Sequence, residues 1–282
     1  MSAVLLGPPG SALRRTLMAV AVLGLAVSAL PVLMIVVMSF SAGTTLDFPP
    51  ASFSLRWYES AWQVLASDDD GVLSAWGSLK TSLIVAALTM LVSVAVCVPL
   101  AYAMSRSNGP WRRWAEVAFA MPMVFPLVVL GLAFLLMAER WAMSTGVEPG
   151  LWRLVIPHIT LALPFVLRNC LSAMHGIGPE VEEAAMSLGA SPLRAFADIV
   201  VPMMKPGILA GLIFAFIISF NEFTVTFFMY TVDVRTLTIW MYSRTTSALD
   251  PTTLAISTLV IVLDVLLIVW VDKLLANKGN VF

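Results

Sequence analysis

The chain has 282 residues, of which 60% are hydrophobic and only 12% charged, and its net charge is −1. Soluble domains carry about 25% charged residues, so the composition excludes an ordinary soluble fold, and nothing in the near-neutral charge points to nucleic acid. The apolar residues come in long blocks, and a helix of about 20 apolar residues crosses roughly 30 Å of hydrocarbon.

A tail over residues 1–16 carries Arg14 and Arg15. Six apolar blocks follow, over Leu17–Phe40, Thr81–Ser105, Val117–Ala138, Leu154–Met174, Gly207–Val232 and Pro251–Val271, and residues 273–282 form a second tail. The first block could be read as a secretory signal, but its apolar core is too long for that and five more spans follow. Between the first two blocks, Trp57, Tyr58 and Trp62 suit a short helix lying at the membrane interface, and Asp68–Asp70 reads as a solvated loop tip. The fourth block is the weakest. Pro157 and Pro164 predict a kinked helix there, and Arg168 is placed to snorkel from near its end.

Basic residues set the orientation. Arg14, Arg15, Arg106, Arg112, Arg113, Arg194, Lys205, Lys273 and Lys278 flank one side of the predicted bundle. Arg56, Lys80, Arg140, Arg153, Arg235 and Arg244 lie on the other, among a larger group of acids. This bias puts both termini and the 175–205 loop in the cytoplasm. The two cysteines, Cys97 and Cys170, lie far apart in apolar stretches, and His158 and His175 have no ligand-spaced neighbours. Neither a disulfide nor a metal site is expected.

Residues 175–205 are too polar for membrane and too patterned for a linker. Gly178–Pro179 opens a helix with proline where no amide hydrogen is needed. Glu180, Glu182 and Glu183 crowd the positive end of its dipole, and Gly189 is placed to close it in a left-handed cap. Ser191–Pro192 opens a second helix, expected to run through Ile199 and stop at Pro202. Small residues Ala184, Ala185 and Gly189 leave room for another protein's surface, so the hairpin reads as a docking element. The competing reading is an ordinary loop with well-capped helices.

Within this hairpin, Glu183-Ala184-Ala185, then three residues, Gly189, nine residues, Ile199, one residue and Val201-Pro202 resemble the EAA signature of binding-protein-dependent ATP-binding-cassette importer permeases. The one departure is Val201 where the family has leucine. The resemblance implies an all-α polytopic fold of the type-I importer permease (MetI-like) kind, with the transmembrane domain over 17–272. It implies that Glu183, Ala184, Ala185 and Gly189 seat in a groove of the ATP-hydrolysing subunit, with Ile199 and Pro202 supporting the loop. It further implies a bacterial inner-membrane location, an ATPase dimer that holds the ATP and magnesium, a second homologous permease in a heterodimer, and an external substrate-binding protein. Leu163-Pro164-Phe165, Ser219-Phe220-Asn221-Glu222-Phe223, Leu237-Thr238-Ile239-Trp240 and Asp250-Pro251 are similar to the second permease of spermidine/putrescine importers. A polyamine cargo is therefore expected. Other small cations, ferric iron, phosphonates or anions are the alternatives.

Two acids fall inside predicted spans, Glu222 in the fifth and Asp264 in the sixth. A carboxylate at mid-membrane costs about 2.5–3.5 kcal/mol on insertion scales, so it faces a cavity or a partner. Glu222, with Asn221 beside it, reads as a translocation-path residue or as one half of an interface pair. Asp264 reads as a helix–helix contact. The chain has no G-x-x-x-x-G-K-[ST] phosphate loop, so it is not expected to be an enzyme or to bind a cofactor of its own. An ion-driven carrier using Glu222 and Asp264 as a relay, or a membrane scaffold, are the competing functions. No inverted repeat is visible to favour the carrier.

Overall fold

A computed structural model of the chain describes residues 11–45, 47–67, 74–247 and 251–276. The acidic tip Asp68–Asp70, Asp250, Lys278 and most of both tails lie outside the described residues. The described elements are helical, and six of the helices are long and apolar enough to cross a membrane. Two compact units can be told apart.

The first unit comprises residues up to Trp62 together with 248–261. Helix α1 (Ser11–Ser39) is apolar around its whole circumference, and nothing in its membrane window is buried by the chain. A helix of that kind is solvated by lipid or by another membrane protein rather than by water. Its end is pinned to the start of α2 (Arg56–Ala66), where the Tyr58 hydroxyl lies 2.7 Å from Ser39 Oγ and the Tyr58 ring sits 5.0 Å from that of Phe40. Helix α2 is the short aromatic helix expected between the first two spans.

The second unit holds residues 63–247 and 262–282. Its core is three long helices: α3 (Ala75–Ser105), α6 (Trp152–His175) and α9 (Val201–Asn221). They share an apolar cluster that includes Cys97, Met104, Val166, Cys170, Met174 and Met204. The two cysteines are free and buried there. Helix α9 presses on α6 through Gly207: a Cβ at that position would fall 2.5 Å from Ala173 Cβ and 2.7 Å from the Asn169 carbonyl oxygen. Small residues that let backbones approach are how membrane helices pack without a hydrophobic drive between them. The C-terminal half of α12 (Pro251–Ala276) lies on the other side of α9, with Leu267 and Val271 against Ala210 and Ile213.

Three sequence expectations are corrected. The third block is two helices, α4 (Trp111–Val124) and α5 (Leu127–Thr145), and only α5 is a span. Pro126 forces Phe125 into an extended conformation (φ −76°, ψ 141°) and breaks the helix. The second helix of the 175–205 hairpin does not stop at Pro202. It begins as α8 (Pro192–Ala195), widens into a π turn over Phe196–Val200, and continues as α9 through Pro202 and Pro206. In the π turn Val201 N–H donates five residues back to Phe196, and this slip accommodates the ladder position where Pro202 has no N–H. The fifth block is also interrupted. Helix α9 ends at Asn221, Glu222 is extended (φ −67°, ψ 123°), and α10 (Thr224–Met229) follows.

Candidate functional site: the 175–205 hairpin and the broken fifth span

The hairpin is built much as its residue types dictate. Helix α7 (Pro179–Ser187) starts at Gly178 with Pro179 in its first turn, and Gly189 closes it with φ +92°, a left-handed conformation that glycine adopts without steric cost. Ser191 caps α8 by accepting the Arg194 N–H at 3.4 Å. Of the EAA residues, Glu183 and Ala184 are exposed, but Ala185 is buried against its own chain, so it supports the helix instead of offering a surface. Pro202 is exposed and Ile199 half-buried on the π turn and the helix that follows. Gly189 has open space around it. Large apolar side chains nearby in sequence are exposed: Leu188 at 90%, Leu193 at 74% and Met186 at 42%. These three apolar side chains stand exposed on an otherwise polar hairpin.

The hairpin is also anchored sideways. Glu182 is buried, and its carboxylate receives the Tyr102 hydroxyl at 2.7 Å and the Arg106 guanidinium, through Nε at 2.7 Å and through Nη2. Sequence reasoning placed Glu182 among three acids at the positive end of a helix dipole. Its partners stand about 80 residues earlier, and no local spacing announces them.

At the far end of α9 the interrupted span forms a second site. Glu222 is not within a helix, as the length of the fifth block implied. It occupies the break, and its Oε1 accepts the Val225 N–H at 2.5 Å, capping α10. Asn221 is exposed and donates to Asp264 Oδ2 at 2.9 Å, and Asp264 lies midway along α12. That bond sets the break level with the midpoint of the sixth span and makes Asp264 the helix–helix contact expected of it. The other Asp264 oxygen has no hydrogen-bond partner among the described residues. Beyond the break, helix α11 (Leu237–Ser247) is tied down by Thr238 Oγ1 donating to the Glu222 carbonyl at 3.0 Å and by Leu237 N–H donating to Ser82 Oγ at 2.8 Å. Phe223, Phe227, Tyr230 and Tyr242 form an aromatic cluster at centroid distances of 5.0 to 6.1 Å.

Two buried polar groups brace this end and were missed from sequence. His158 bridges α6 to both halves of the broken span, with Nδ1 2.8 Å from Ser219 Oγ and Nε2 2.9 Å from Thr226 Oγ1. Arg153 is buried at the start of α6 and pairs with Glu139 (2.7 Å) and Glu148 (3.2 Å) while donating to the Met229 carbonyl at 3.2 Å. Arg168, by contrast, is exposed at the edge of a hollow of about 180 Å³ that Glu116 also lines.

Comparisons with known proteins agree with the geometry. Residues 97–278 match the family described as "Binding-protein-dependent transport system inner membrane component". The chain is 29% identical over 235 residues to the putrescine transport system permease protein PotI of Escherichia coli K12, covering 82% of this chain and 80% of that one. It is 25% identical over 256 residues to the spermidine/putrescine transport system permease protein PotC of the same strain, covering 89% and 91%. In fold it resembles a chain from the crystal structure of a bacterial ABC transporter involved in import of the acidic polysaccharide alginate, with a TM-score of 0.61 and 16% identity over 98% of this chain and 99% of that one. A match across more than half of the chain and six helices able to span a membrane leave one conclusion: the chain belongs to the binding-protein-dependent inner-membrane transport family, as a multi-pass permease subunit of an ABC importer.

Proposed function

We propose that this permease carries a small amine cation of the polyamine class, and that the cation passes the break at Asn221–Phe223. The observation that carries this reading is the break itself. Backbone without helical hydrogen bonds is tolerated at membrane depth only where protein buries it or where it lines a water-filled cavity. Here the break lies level with the middle of α12, and Asn221 beside it is exposed. The groups gathered there suit an alkylammonium: the Glu222 and Asp264 carboxylates, one Asp264 oxygen still able to accept, and an aromatic cluster whose faces attract cations. The relatives named for putrescine and spermidine support the same cargo.

Energy enters at the other end. The surface of Glu183, Ala184, Met186, Leu188, Gly189 and Leu193 is the seat for an ATPase dimer, with Ala185, Ile199 and Pro202 supporting it from behind. The ATPase holds the ATP and Mg²⁺. A second permease, different from this one, completes the path, and an external binding protein delivers the solute. Both termini and the hairpin then lie in the cytoplasm, in keeping with the arginine and lysine bias of the loops.

The test is ATP hydrolysis and uptake by the assembled complex in proteoliposomes, with its binding protein, with and without putrescine. Putrescine is expected to stimulate hydrolysis, and E222Q to reduce uptake about tenfold, the loss of roughly 1.4 kcal/mol of stabilisation along the path. A complex that hydrolyses ATP but ignores putrescine and spermidine rejects the amine cargo.

A further inference from the structure

The hairpin is joined to the bundle by more than its own two chain connections. Through the backbone it is continuous with α6 on one side and α9 on the other. Arg106 adds a third attachment, to α3. This residue terminates α3, its own N–H bonding back to the Tyr102 carbonyl at 3.0 Å, and its guanidinium reaches over to the hairpin. Nη1 and Nη2 both donate to the Ile177 carbonyl at 3.1 Å, while Nε and Nη2 grip the Glu182 carboxylate. The second Glu182 oxygen takes the Tyr102 hydroxyl, and the Tyr102 ring packs 4.7 Å from that of Phe196 at the start of the π turn. The pair is shielded, with only 21% of the arginine side chain and 8% of the glutamate side chain exposed. A shielded pair with every charge hydrogen-bonded costs much more to break than a surface ion pair. A rigid planar fork also fixes direction as well as distance.

We propose that Arg106, Glu182 and Tyr102 form a transmission clamp, which makes α7 and the end of α3 one rigid body, so that a displacement imposed on α7 moves α3 along with α6 and α9. In this role they are positioning residues that need not touch ATPase or solute. The displacement itself rests on the docking reading above. The clamp does not, because all of its contacts lie within this chain.

Spin labels at Ala103→Cys, on the exposed face of the last turn of α3, and at Ser187→Cys, at the exposed end of α7, report the two bodies. Cys97 and Cys170 are fully buried and are not expected to take label. Double electron–electron resonance on the assembled complex is expected to give one narrow separation, unchanged by a non-hydrolysable ATP analogue. R106Q is expected to broaden it and make it respond to nucleotide, with R106K and Y102F intermediate. In the same complexes R106Q is expected to lower putrescine taken up per ATP hydrolysed at least fivefold while hydrolysis stays within about twofold of the unaltered complex. A merely structural role would lower assembly, hydrolysis and uptake in parallel and leave that ratio unchanged. A separation that moves with nucleotide in the unaltered chain, or that stays narrow and silent in R106Q and Y102F, overturns the clamp. If no ATPase assembles on the hairpin, the docking reading fails by itself, and the nucleotide-free separations still decide whether Arg106 holds α7.

Discussion

Asn221 and Asp264 meet at 2.9 Å, the amide on the last residue of α9 donating to a carboxylate halfway along α12. Hydrogen bonds between membrane helices are worth about 0.6–2 kcal/mol. N221L and D264L are each expected to lower the unfolding midpoint in detergent, and the double variant to lower it by less than their sum, with a coupling of about 1 kcal/mol. D264N keeps an acceptor and should unfold like the unaltered chain. Reduced uptake by stable D264N would assign the charge to the transport path.

Gly207 sets the distance between α6 and α9. Because a Cβ there would meet both Ala173 Cβ and the Asn169 carbonyl oxygen, G207V is expected to cost about 2–3 kcal/mol through forced separation of the two helices. Adding A173G removes one of the two clashes but not the backbone one, so it should recover only part of the loss. Thermal unfolding of the unaltered chain, G207V, A173G and the double variant in detergent gives the comparison.

At Gly189 the expectation is reversed: function falls without loss of the fold. Its φ of +92° disfavours any side chain by about 1–2 kcal/mol, yet the space around it is open. G189V should insert and fold, with local distortion of the hairpin tip. L188D should not disturb the chain at all, since Leu188 is almost wholly exposed. Both are expected to cut copurification of the ATPase at least tenfold, read as the ratio of the two subunits after affinity capture.

His158 holds the two halves of the broken span to α6. H158L would leave the Ser219 and Thr226 hydroxyls buried without this partner, at a cost of about 1–3 kcal/mol. H158Q, which can still reach one of them, should lose about half as much. S219A removes the bond to His158 and a longer one, at 3.5 Å, to Thr89 Oγ1, but leaves His158 bonded to Thr226, and should be the mildest of the three in the same melting experiment.

How much of this was legible in the sequence depends on the range of the interaction. Span positions and hairpin caps are local: a proline at a first turn, a glycine four residues past two alanines, or a serine before a proline states its own conformation. The Glu182–Arg106 and His158–Ser219–Thr226 contacts are decided by tertiary packing across 61 to 76 residues, and each residue alone looked unremarkable. Two of the three corrected boundaries share one cause. Hydropathy measures how apolar a stretch is and is blind to backbone breaks, so Phe125–Pro126 and Glu222–Phe223 vanished inside continuous apolar runs. At Pro202 the error ran the other way, because a proline read as a stop was absorbed by a widened turn. Asn221 and Glu222 both lie at the break, and Glu222 caps α10 instead of projecting from a helix wall.

The π turn at Phe196–Val200 sets the rotational phase between the two ends of the molecule. One residue of slip turns everything beyond it by about 100° about the helix axis relative to an uninterrupted α-helix. The face that α9 turns toward α6, carrying Gly207 and Gly211, is therefore indexed separately from the face that α8 presents with Leu193. Deleting a single residue between Phe196 and Val200 would leave the composition, hydropathy and caps of both segments almost untouched. It would nevertheless aim the hairpin about a quarter-turn away from where the bundle below it now points.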